Sequence, residues 1–137
     1  MSVLTPAQQA VAERVLAEEE GRRRHLVVSL SGAHAYGFPS PDSDLDLKAI
    51  HIEPTARLLG LAVPSPSASR LEVIDGIEID YTSNEIQPAL VGILAGNGNY
   101  IERVLGAIPL RTAPELEELR PIVRRSLSRR TDRKSVV

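Results

Sequence analysis

With 137 residues, 42% of them hydrophobic, the chain is the size of one domain and has enough apolar surface for a single core. Its 16 basic and 18 acidic residues leave a net charge of -2, which excludes a global electrostatic footprint for nucleic acid or an anionic membrane. The absence of cysteine excludes disulfides and thiolate metal sites, and with no membrane-length apolar run and no signal-peptide pattern in the sequence, a cytoplasmic protein is expected.

Thr5-Pro6 opens a helix, with a capping hydroxyl, proline in the first turn and apolar residues at Val11, Val15 and Leu16; Gly21 ends it. HLVVSLSG, ending at Gly32, reads as a buried strand, and GFPSPDSD as a loop, because its prolines, serines and glycine suit neither helix nor ladder. LDLKAIHI, residues 45–52, returns to alternation as a second strand, with Lys48 expected on the face away from Asp46 and His51 on the strand surface. Residues 54–61 suggest a short helix and VPSPSASR a loop. RLEVIDGIEIDYTS gives two alternating runs hinged on Asp75-Gly76, a strong hairpin signal, and Ser83-Asn84-Glu85 opens a helix through about Ala95. GNGN breaks the chain, NYIERVLG makes another helical turn or two, and residues 114–130 form a helix, acidic at its start and basic at its end, that Pro121 kinks or divides. The order predicts an α+β fold, a small mixed β-sheet with helices packed on one side. Residues 1–130 form the expected domain, and 131–137 are read as a truncated or non-native tail.

The chemistry concentrates around residues 31–52. Asp44 and Asp46 are one residue apart, so in an extended strand both point to one face while Leu45 and Leu47 face the core. Two carboxylates so close repel unless a cation lies between them, and a hard ion such as Mg2+, which takes few carboxylates and completes its shell with water and phosphate oxygens, suits the pair. Asp80, on the strand IEIDY, offers a third ligand if the two strands are neighbours. Ser31, Gly32 and Ala33 end the first strand with small residues that let backbone N–H groups approach an anion, and Tyr36 follows closely enough to reach a phosphate or base, or to pack under the loop. An EF-hand reading of Asp42, Asp44, Asp46 and Glu53 fails, because Leu47 stands where the bend needs glycine and no helices flank the segment.

The stretch LSGAHAYGFPSPDSDLDLKAIHI resembles the first motif of the DNA-polymerase-β-like nucleotidyltransferases: Leu30, Gly32 and Ala33, then Asp44-Leu45-Asp46-Leu47. With GNGNYIERVLG and LSRR downstream, it is similar to bacterial predicted nucleotidyltransferases of the RNA-repair-pathway type. The resemblance implies a polymerase-β-type palm, two Mg2+ ions held by Asp44, Asp46 and Asp80, and transfer of a nucleoside monophosphate from ATP or another nucleoside triphosphate to a hydroxyl acceptor, with release of pyrophosphate. Ala33 stands where the family usually has serine, which keeps open an alternative, a catalytically reduced nucleotide- or partner-binding module like the small antitoxin-like relatives. RNA is one candidate acceptor, and the basic run from Arg124 to Lys134 is the place in the chain for a contact with it.

Overall fold

The computed structural model describes residues 4–31, 45–54, 59–60, 65–106 and 109–136, with side chains through residue 128. The first helix, α1 (Pro6–Glu20), begins with a reciprocal capping box in which Thr5 and Gln8 each satisfy the other's backbone N–H, and ends at Gly21. Its residues Val11, Ala12, Val15, Leu16 and Glu19 recur at helical spacing and are buried on one side. Four strands follow: β1 (Arg24–Ser31), β2 (Leu45–Ile52), β3 (Ser67–Ile74) and β4 (Ile77–Glu85). Then come α2 (Ile86–Leu94), α3 (Gly98–Leu105), a short β5 (Pro109–Thr112) and α4 (Glu115–Val136).

The strands form one five-stranded sheet in the order β3-β4-β2-β1-β5. β3 and β4 are a hairpin closed by Asp75 and Gly76, whose φ values of 51° and 78° are the left-handed pair that a two-residue turn demands. β1 pairs antiparallel with β2 and β5, whereas β2 and β4 run parallel, so the sheet is mixed. Alternation sorts the side chains. Leu45, Leu47 and Ala49 of β2, Ile79 and Tyr81 of β4 and Val28 and Leu30 of β1 pack with α1, while Ile50 and Val27 pack with Ala89, Ile93, Val104, Leu116 and Val123 of α2, α3 and α4. Each fully buried Leu or Ile in these layers contributes about 1.5–3 kcal/mol.

The fold is α+β with a mixed sheet, as expected. The expectation that the helices pack on one side is corrected: α1 covers one face and α2–α4 part of the other. Helical periodicity defines which side of α1 is apolar but not which face of the sheet receives it. Three further corrections concern the strands. β3 begins at Ser67, inside the stretch read as a loop, because those serines are recruited by pairing with β4. β5 was absent from the sequence reading, being four residues long and opening on proline. His51, expected on the surface, is buried, its Nδ1 2.7 Å from Ser83 Oγ. The last helix runs through Pro121 without dividing. The short helix expected over 54–61 falls largely outside the described residues.

Ion pairs tie α1 to the sheet. Arg70 of β3 reaches Glu18 at 2.7 Å, Arg111 of β5 reaches Glu20 at 2.9 Å and also Glu13, and Arg23 bridges Glu19 at 2.6 Å to the Tyr81 hydroxyl at 3.1 Å. That hydroxyl is also 2.6 Å from His25 Nε2. Burial, then the Arg23 charge, then that of His51 push the His25 pKa down to about 4, so the ring is neutral beside its phenol partner at neutral pH.

Candidate active site

The face opposite α1 carries Asp46 and Lys48 of β2, Asp80 of β4 and Ser31 of β1. In the parallel ladder of β2 and β4, Asp46 is the direct partner of Asp80, and on the other side of β2 its partner is Ser31, the last residue of β1. Partners in register project to the same face, with strands about 4.8 Å apart, so Ser31, Asp46 and Asp80 form a row across three strands. The row continues to Leu71 of edge strand β3, which is 80% exposed. Among the described residues, the apolar contacts of α2, α3 and α4 with this face centre on Ile50 and Val27 rather than on the row. Both aspartates are half-buried.

Asp44, Gly32, Ala33 and Tyr36 lie outside the described residues, as does Asp42. Among the described residues no group of three or more carboxylate, histidine or cysteine side chains is assembled as a metal cage. The donor set that is present fits a hard cation nevertheless. One carboxylate oxygen of Asp46, Oδ1, is buried and accepts no hydrogen bond from the described residues, so it lacks the donor that burial ordinarily requires.

Two cations that the sequence does not mark as part of the site belong to this region, one in contact with that oxygen and one that feels the Asp46 charge without touching it. Lys48, expected on the opposite face, lies one pleat along β2 on the same face as Asp46, and its Nζ is 3.2 Å from Asp46 Oδ1, a charge contact without hydrogen-bond geometry. The signal was in the sequence, since residues two apart on a strand share a face. Arg103 of α3 is the other. Only 8% exposed, it donates from Nη1 to the Ala49 carbonyl at 2.9 Å and to Asn84 Oδ1 at 2.7 Å, and its guanidinium lies 4.9 Å from the centre of the Tyr100 ring. Burial lowers its pKa, against the opposing pull of Tyr100 and Asp46, yet a guanidinium stays charged. Ser29 donates to the Arg103 carbonyl at 3.2 Å and so docks α3 on β1. Nothing in the local sequence around Arg103 marks it out, because its partners come from two distant strands.

The sequence profile of the RNA repair pathway DNA polymerase beta family matches residues 7–134. The chain belongs to that family. Among solved structures, it is similar to a nucleotidyltransferase-like protein from Exiguobacterium sibiricum, with 13% sequence identity and a TM-score of 0.55. The match covers 82% of this family member and 37% of the Exiguobacterium chain, so the likeness is one of fold and spans little more than a third of that neighbour. A search of curated proteins finds no match. No helix among the described residues is long and apolar enough to cross a membrane.

Proposed function

We propose that this polymerase-β-family chain transfers a nucleoside monophosphate from a nucleoside triphosphate to a hydroxyl acceptor, releasing pyrophosphate, and that Asp44, Asp46 and Asp80 hold the Mg2+ ions the reaction needs. The observation that carries the reading is the register pairing of Asp46 with Asp80 on the face of the sheet opposite α1. Two carboxylates side by side repel, and a site that tolerates the repulsion gains from a divalent cation. Bound Mg2+ would neutralise phosphate charge and lower the pKa of an attacking hydroxyl.

The chain's own residues supply placement. In the transfer, the acceptor oxygen bonds to the α-phosphorus as the bond from that phosphorus to the β-phosphate oxygen breaks; pyrophosphate leaves and the hydroxyl proton passes to solvent or a carboxylate. Asp80, on the side of the row nearer edge strand β3, is assigned to the acceptor side, and Ser31, Gly32 and Ala33 with Tyr36 to the nucleotide. Domain limits of 1–130 remain part of this reading, as does RNA among the candidate acceptors.

The test is incorporation of label from α-labelled triphosphates into mixed RNA and small-molecule hydroxyl acceptors. Wild type is expected to incorporate label only with Mg2+ or Mn2+, and Asp46→Asn and Asp80→Asn to lose about 10²-fold or more. Ala33 in place of the family's serine favours a second reading, a nucleotide-binding module with reduced turnover. Metal-dependent binding of triphosphate with no incorporation would select that one. Incorporation indifferent to both aspartates would remove the first.

A further inference from the structure

We infer that Lys48 is a displaceable counter-ion: its ammonium occupies the cation position at Asp46 when metal is absent, and turns to the phosphates of the incoming triphosphate when metal enters. The inference rests on the metal reading of Asp46 given above and adds a role for a residue outside the carboxylate set.

The two cations of this region are held in contrasting ways, and only Lys48 touches the Asp46 carboxylate. Arg103 is immobilised by hydrogen bonds to Ala49 and Asn84 and by the Tyr100 ring, and cannot leave. Lys48 sits 3.2 Å from Asp46 Oδ1 at the end of a flexible four-carbon stem, about a quarter exposed, in an ion pair that lacks hydrogen-bond geometry. A weakly held ammonium beside a buried, undonated oxygen is a placeholder that a divalent ion of greater charge outcompetes. After displacement the stem still projects from the face of the row, because alternation along β2 fixes its direction. The largest negative charge arriving there is the triphosphate, so the released ammonium has a partner at hand. Metal and Lys48 therefore compete for Asp46, while Lys48 and triphosphate attract.

The competition has a signature that a structural lysine would not give. Lys48→Met removes the charge and keeps the stem, and Lys48→Arg keeps the charge on a different head; folding of each is checked by its thermal transition. Free Mn2+ is counted by electron paramagnetic resonance on nucleotide-free protein, and affinity for the α,β-methylene analogue of ATP is measured at saturating Mn2+. Lys48→Met is expected to bind Mn2+ about 5- to 20-fold tighter than wild type and the analogue about 10-fold weaker, with Lys48→Arg binding Mn2+ no tighter than wild type. Unchanged or weaker Mn2+ binding by Lys48→Met, or unchanged affinity for the analogue, overturns the inference. Asp46→Asn separates the two levels. If wild type binds Mn2+ through Asp46 and Lys48 does not alter it, only the placeholder role fails; if neither wild type nor Lys48→Met binds Mn2+, the metal reading fails with it.

Discussion

Replacing Arg103 with methionine keeps a long side chain but strips the Ala49 carbonyl and Asn84 amide oxygen of a shared charged donor. Losing a buried charged hydrogen-bonding group costs about 2–4 kcal/mol, so Arg103→Met is expected to lower the urea midpoint without changing the slope of the transition. His25 predicts a pH dependence of definite sign. Its folded pKa of about 4 lies below the ordinary value of 6.5, so between these values the unfolded chain binds more protons than the folded one. Stability is therefore full above about pH 7 and falls as pH drops from 6.5 toward 4. The loss is on the order of 1–2 kcal/mol, less than the shift alone implies because part of the ring keeps solvent contact. His25→Gln, which offers Tyr81 a hydrogen-bonding partner without titrating in that window, is expected to flatten that part of the stability curve measured by urea unfolding; a curve as steep as wild type would assign the slope to other groups.

The elements were legible where local chemistry and pattern agreed. Thr5, Pro6 and Gly21 bounded α1, and Asp75-Gly76 located the hairpin, because caps and tight turns depend on residues adjacent in sequence. β5 and the first half of β3 were not legible, since Ser67, Ser69 and Pro109 have poor strand propensity and are extended only because a partner strand lies beside them. At the site the same division holds: the faces of Asp46 and Asp80 follow from strand alternation, which also puts Lys48 beside Asp46 and not on the opposite face expected for it, whereas Arg103 and the register of β2 on β4 depend on tertiary packing. α2 and α3 meet through a feature no periodicity reveals. A Cβ added at Gly92 would fall 2.3 Å from the Tyr100 ring, so only glycine allows Tyr100 to lie there, and Tyr100 in turn faces Arg103. Gly92→Ala gains about 1 kcal/mol of helix propensity but overpacks this contact, for an expected net loss of about 1–2 kcal/mol in thermal unfolding. At the other end of the chain, Thr5→Ala removes half of the capping box and is expected to cost about 1 kcal/mol in the same measurement.

On the scale of the whole molecule, α1 packs on one face of the sheet and α2–α4 on part of the other, and the polar row on that second face is where stability and the proposed activity oppose each other. Asp80→Asn removes a like charge beside Asp46, so without divalent ions the variant is expected to melt at or slightly above the wild-type temperature, by up to about 1 kcal/mol in stability. Added Mg2+ is then expected to raise the wild-type melting temperature and leave that of the variant in place. A clear drop in stability of the metal-free variant would mean that Asp80 contributes to the fold rather than burdening it. The parallel ladder between β2 and β4 has a kinetic consequence as well. The β3–β4 hairpin closes locally, but Asp46 meets Asp80 only after the entire segment between their strands has looped back. A ligand that depends on both carboxylates finds its two halves together late in assembly, so it is expected to prolong the lifetime of the finished protein, seen as slower unfolding, and to leave the speed of refolding nearly untouched.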